Sequence, residues 1–248
     1  MSIAHTGPVF LPFDIETSHL KADFGTILSF GSQRWTIRDG EYVPIDPKPV
    51  VFSIADTKPF KKGDPTDDSE VCAKARERLL SADYWIGYYS KGFDVPFLQA
   101  KMGEHKLGYL PSMGRAHVDL FFVAKSAFAL TRKSLGNVSY HLGIEGSKTP
   151  VEGRIWKKAM AGHKPSLIYI VDHNAADVSL TWNLYREMLP LIVGHAFVGK
   201  KGDCNRCGSA VIRRGEARTS TIAQHYRYSC LGPVTHWTTR GPLKEEYY

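Results

Sequence analysis

Residues 8–20 read PVFLPFDIETSHL, and this stretch decides the fold. Val9, Phe10, Leu11, Phe13 and Ile15 spell a buried strand, yet Asp14 and Glu16 sit within it. Side chains alternate along a strand, so the two acids share one face. A buried carboxylate without a partner is costly and tends to protonate instead. Two like charges side by side in an apolar strand therefore imply positive charge on that face. Solvent-facing acids at a strand end are the bland alternative, and the apolar residues around the pair argue for a central strand instead.

The rest of the chain supplies more acids in comparable settings. WIGYYSKGFDVPFL (85–98) carries Asp94 just after a short apolar run read as a strand. Its structural alternative is a helix N-cap, with Pro96 in the first turn. VDHNAADVSLTWNLY (171–185) carries His173 and Asp177 four residues apart, on one face of the longest helical pattern in the chain, which begins near Pro165. Four carboxylates and a histidine from three separated apolar segments suit two hard divalent cations, Mg²⁺ or Mn²⁺. About 3.5–4 Å apart, such ions clamp both oxygens of an in-line phosphoryl displacement.

The chain of 248 residues is long enough for one large domain or a medium domain with a small module. Its 43% hydrophobic and 23% charged residues are those of an ordinary globular protein, and its net charge of +7 fits a polyanionic partner. No apolar run reaches the ~20 residues that span a bilayer. The first residues lack the pattern of a secretory leader, so the expectation is a cytoplasmic protein with no membrane partner. The runs TILSFGSQRWTI (26–37) and PVVFSIADT (49–57) read as strands of an antiparallel meander, with the turn-rich RDGEYVPIDPK between them. Helical patterns follow at SEVCAKARERLLSA (69–82), after Lys91, at HVDLFFVAKSAFAL (117–130) and at SLGNVSYHLGI (134–144). Strands first, then strand and helices mixed, predict an α/β domain with a mixed sheet.

In order, FDIET, GYYSKGFDVPFL and HNAADVSLTWNLY resemble the three motifs of the DEDD superfamily of 3′–5′ exonucleases, over roughly residues 9–190. The resemblance implies an RNase H-like mixed sheet flanked by helices. It makes Asp14, Glu16, Asp94 and Asp177 the ligands of two Mg²⁺ or Mn²⁺ ions. Thr17 matches a residue that helps hold the terminal nucleotide, and Tyr89 and Phe93 fall at substrate-binding places. Tyr89 stands where relatives often carry Asn. Asp119, after the second motif, is expected to play a structural part. One branch of the family has Tyr four residues before the last Asp, and another has His five before it. This chain has His173 at the four-residue spacing, as the base or water-orienting residue. The activity implied is hydrolysis of single-stranded DNA or RNA from a 3′ end, with replication or repair proteins as partners in trans. A structure-specific endonuclease or junction resolvase uses the same chemistry, and a binding protein without turnover is a third reading.

The helical pattern ends near residues 195–200, which divides the chain into 1–195 and a small module at 200–242. That module, CNRCGSAVIRRGEARTSTIAQHYRYSCLGPVTHW (204–237), places Cys204, Cys207, Cys230 and His236 at spacings suited to one structural Zn²⁺, with His225 competing for the fourth place. A redox C-x-x-C would open a helix, whereas Gly208, Val211 and Ile212 suggest a knuckle and a strand. The module resembles a zinc ribbon. Lys200, Lys201, Arg206, Arg213, Arg214 and Arg218 make it basic, and Tyr226, Tyr228 and Trp237 add aromatic rings, a mix suited to gripping nucleic acid. Cys72 stands apart on an early helix, where it reads as a small buried residue.

Overall fold

The computed structural model describes residues 7–38, 41–144 and 151–192, and the backbone alone of 211–213, 218–220, 223–230 and 236–240. Its organising element is the strand expected first, β1 (Phe10–Thr17). Period-two alternation sends its residues to two cores. Leu11, Phe13 and Ile15 pack with Val71, Ala75 and Leu79 of α2 (Ser69–Leu80) and with Phe97, Leu98 and Met102 of α3 (Asp94–Glu104). Phe10, on the other face, packs with Leu180, Trp182 and Tyr185 of α7 (Lys164–Met188).

Strands β2 (Ile27–Ser32) and β3 (Trp35–Arg38) run antiparallel along one edge of β1. Asp14 faces Gly31 and Phe10 faces Trp35, and Gln33 donates its N–H to Pro12 between them, so β2 and β3 are two segments of one strand in one register. Beyond them lie β4 (Glu41–Pro44), paired with β3, and β5 (Val50–Ser53), paired with β2, both antiparallel. The other edge of β1 takes β6 (Tyr84–Gly87) in parallel, and β6 takes β7 (His117–Asp119) in parallel. The result is a seven-stranded mixed sheet, the RNase H-like α/β arrangement, with helices on its faces. A short turn of helix, α1 (Lys58–Lys61), follows β5, and α4 (Leu120–Ala127), α5 (Leu135–His141) and α6 (Gly153–Met160) lie between β7 and α7.

Strands β4 and β7 depart from the sequence reading, as do α1 and α6, in stretches where it placed no helix. The turn-rich segment after β3 contains β4, because Tyr42 has a tertiary place to go. Its ring meets Phe10 and Trp182 edge-on, with centroids 5.3 Å away in each case. The helical pattern at 117–130 begins as strand β7. His117 and Val118 are buried beside β6, and Asp119 caps α4 by accepting the Phe121 N–H at 3.1 Å.

An ionic network ties the antiparallel strands to α2. Asp46 accepts the Arg34 N–H at 2.8 Å, pairs with the Arg34 guanidinium at 2.8 Å, and also pairs with Arg78 of α2. Arg78 reaches on to the Ser32 hydroxyl at 3.1 Å. Cys72 is fully buried, as expected.

Among the described residues no helix is long and apolar enough to cross a membrane. In the C-terminal region, β10 (Ala223–Cys230) is paired antiparallel with β8 (Val211–Arg213), β9 (Arg218–Ser220) and β11 (His236–Arg240). Cys204 and Cys207 lie outside the described residues. Cys230 ends β10 and His236 begins β11, where it faces Ser229 in the register.

Candidate active site

The acids of β1 open onto a cleft of about 640 Å³. Asp14 and Glu16 form one wall, Asp94 stands at the start of α3, and His173 and Asp177 descend from α7. Ile15, Tyr88, Tyr89, Phe93, Val151 and Trp156 complete the lining. The four carboxylates and the histidine expected at the site therefore meet in one place.

Backbone geometry explains how each carboxylate arrives. A register shift between Glu16 and Thr17 bulges the end of β1 beside the site, a common way of re-aiming a strand's side chains. Asp94 is the first residue of α3, with Phe93 in the cap position, so it is not the N-cap that was its structural alternative. Instead its Oδ1 accepts the Ile15 N–H at 3.1 Å, linking the second acidic segment to the first. Burial pushes the Asp94 carboxyl up to about 7, against the opposing pull of that hydrogen bond. A divalent cation reverses that preference by favouring the ionised form.

His173 reaches the acids despite its spacing. Its Nε2 lies 3.5 Å from Glu16 Oε1 and 3.7 Å from Asp177 Oδ2. Ligand atoms of Glu16, His173 and Asp177 all lie within 4.8 Å of one another. A cluster rich in carboxylate oxygens fits hard divalent cations, so the donor set passes the test for Mg²⁺ or Mn²⁺.

A second cluster, Asp68, Cys72 and His105, is equally compact. There the Lys101 ammonium stands 3.7 Å from Asp68, which also accepts the Ile27 N–H at 2.8 Å and bonds His105. Burial raises the Cys72 thiol, which keeps it protonated. That network already has its cation, and it anchors β2 to α2.

Two residues that sequence reasoning passed over position the first acid. Asn174 of α7, fully buried, donates from Nδ2 to the Asp14 carbonyl at 3.3 Å and to Asp14 Oδ2 at 3.1 Å. It fits only because Gly31, opposite Asp14, has no side chain: a Cβ there would stand 1.7 Å from Asn174 Oδ1. Gly31→Ala must therefore push Asn174 away from Asp14. A shift of about 1 Å at a reacting centre costs on the order of a hundredfold in rate, and overpacking costs about 1–3 kcal/mol. Turnover and thermal unfolding of this variant check the cradle, and wild-type values for both would refute it.

The substrate-binding expectations divide. Tyr89 and Phe93 line the cleft, whereas Thr17 does not; its hydroxyl donates to the His19 carbonyl at 2.9 Å and closes the turn after β1. Tyr89 holds a left-handed backbone, φ 61°, unusual for a bulky residue. Asp119 enforces it by accepting the N–H groups of Tyr89 and Lys91, each at 2.8 Å, which is the structural part expected of that acid. Gly92 makes room, since a Cβ there would lie 2.6 Å from the Tyr89 ring. Trp156 and Tyr88 carried no signal in the sequence, because their place at the cleft depends on how α6 and the β6–α3 turn pack.

No curated protein sequence matches this chain significantly. Among solved structures, E. coli exonuclease I in complex with a dT13 oligonucleotide is similar at 15% identity and TM-score 0.46, covering 72% of this chain and 41% of its own. The zinc-ion-bound form of the E. coli exonuclease I–single-stranded DNA complex is similar at 17% identity and TM-score 0.44, covering 66% and 43%. This chain thus spans less than half of either. The family model of the RNase_H superfamily matches residues 11–189, from β1 to the end of α7, an interval holding every polar residue of the cleft, and the chain belongs to that superfamily.

Proposed function

We propose that the chain is a metal-dependent 3′–5′ exonuclease acting on single-stranded DNA or RNA. The observation that carries this reading is the meeting of Asp14, Glu16, Asp94 and Asp177 with His173 in one cleft. The four carboxylates hold two Mg²⁺ or Mn²⁺ ions. When bound, these supply Lewis-acid stabilisation of the phosphoryl oxygens and activation of a water.

The chain's own residues do the rest. Asn174 fixes Asp14, the Ile15 N–H fixes Asp94, and His173, with Nε2 3.5 Å from Glu16 Oε1, orients the attacking water and accepts its proton at Nε2. Tyr89, Phe93 and Trp156 offer ring surface to the terminal base. In the C-terminal module, Cys204, Cys207, Cys230 and His236 hold a structural Zn²⁺, a reading supported by their spacing and checked by the zinc content of the purified chain.

The polarity and mode of attack are tested on end-labelled single strands of DNA and RNA, linear and circular, with Mg²⁺ or Mn²⁺ and with EDTA. The expected result is stepwise release of mononucleotides from the 3′ end of linear strands, with circles intact and EDTA abolishing turnover. Linearised circles would instead establish the endonuclease reading.

A further inference from the structure

Beside the carboxylate cleft runs a second groove of about 470 Å³, lined by Lys91, Arg115 and Phe122 among others. Tyr89 joins the two. Its ring lines the carboxylate cleft and stands 6.3 Å, centroid to centroid, from Phe122. Both rings turn a large surface to water, Tyr89 at 46% and Phe122 at 45% exposure. Both are braced. Phe121 supports both edge-on, at 4.9 Å from Tyr89 and 5.4 Å from Phe122, and the Asp119 carboxylate holds the backbone of Tyr89 in its strained conformation. Rings braced in this way offer a preorganised surface, with less freedom to lose on binding than unsupported ones.

The charge of the groove points the same way. Lys91 and Arg115 are exposed cations on its walls. Asp119 is the one carboxylate among the described lining residues, and it is buried, with its oxygens turned to the N–H groups of Tyr89, Lys91 and Phe121. Exposed π-faces flanked by cations form the surface that single-stranded nucleic acid uses, bases stacking on rings while phosphates meet positive charge.

We propose that a strand whose end lies in the carboxylate cleft continues across Tyr89 and Phe122 into this groove, its bases stacked on the rings and its phosphates against Lys91 and Arg115. This rests on the reading of the cleft given above, and it adds the path of the substrate. The groove then sets affinity for a polymer and not the chemistry of the terminal bond.

The test compares two kinds of substrate. Thymidine 5′-(4-nitrophenyl phosphate) needs only the cleft, whereas oligothymidylate and oligouridylate also reach the groove. For Phe122→Ala, KM for the oligonucleotides should rise about tenfold, the loss of one stacked base. The double variant Lys91→Ala/Arg115→Ala should show a similar rise at low salt. The slope of log affinity against log salt should shrink by about 1.4, as for two lost phosphate contacts. Turnover of the nucleotide ester should match wild type in both variants. Unchanged oligonucleotide KM and salt slope, with both substrates still hydrolysed, overturns the groove and leaves the cleft standing. Loss of ester hydrolysis in the variants also overturns it, since the residues would then act on the chemistry. If wild type hydrolyses neither substrate, the reading of the cleft fails first.

Discussion

Asp177→Asn is expected to lower metal-dependent cleavage by about a thousandfold or more while leaving the fold intact. Asp177 is 3% exposed on α7, one turn from His173, and its Oδ2 faces the imidazole across 3.7 Å. The amide keeps the size and most of the polarity of the carboxylate but loses its charge, so a cation ligand disappears while packing stays. A thousandfold loss corresponds to about 4 kcal/mol of transition-state stabilisation, within what a cation contributes. Without cations the substitution also removes one negative charge from a crowded cleft. The unfolding temperature of the metal-free variant should therefore equal or exceed that of wild type, since active sites commonly sacrifice stability for charge. Turnover at saturating Mn²⁺ and thermal melts in EDTA check the two halves. Near-normal turnover removes Asp177 from the site, and a large fall in melting temperature makes its role structural.

The largest effect on stability is expected at Asp46, which does not line the cleft. Burial opposes its charge, but the hydrogen bonds from Arg34 and Arg78 prevail and hold its carboxyl near 2. Asp46→Ala leaves the Arg78 guanidinium, whose side chain is 11% exposed, without its carboxylate. Breaking a buried pair in this way costs about 3–5 kcal/mol; Arg34, more open to water, adds little. Because the folded pKa lies below the ordinary 3.8, this stabilisation is present above about pH 4 and fades as pH falls through about 2. Urea unfolding should show the full gap between wild type and variant at pH 7, and a narrowing one below pH 4. A gap that is small at pH 7 or constant with pH contradicts the assignment.

How much of this could be seen in the sequence depends on the range of the interaction. Asp14 and Glu16 were legible because strand periodicity alone puts them on one face, and His173 and Asp177 because four residues is one helical turn. Asp94 was legible as an acid in an apolar setting, though its hydrogen bond to Ile15 spans the whole β1–α3 distance along the chain. Strand β4 was hidden since its segment is rich in turn formers, and only packing of Tyr42 against Phe10 and Trp182 overrides them. Strand β7 was hidden because three residues carry no period. The Gly31–Asn174 cradle was out of reach for a different reason. Neither residue signals anything alone, and the pair acquires meaning only when α7 crosses β2. Phe122 likewise reads as an ordinary helix residue, and Trp156 lies in a stretch without a pattern, until the fold places them beside a groove and a cleft.

The central claim is that these four carboxylates form a divalent-cation site, and anomalous diffraction from crystals grown with Mn²⁺ tests it most directly. The expected result is manganese peaks within about 2.3 Å of oxygens of Asp14, Glu16, Asp94 and Asp177, absent from crystals of Asp177→Asn or reduced in number. An empty cleft at saturating Mn²⁺, or manganese bound only elsewhere, as at Asp68 and His105, would contradict the account.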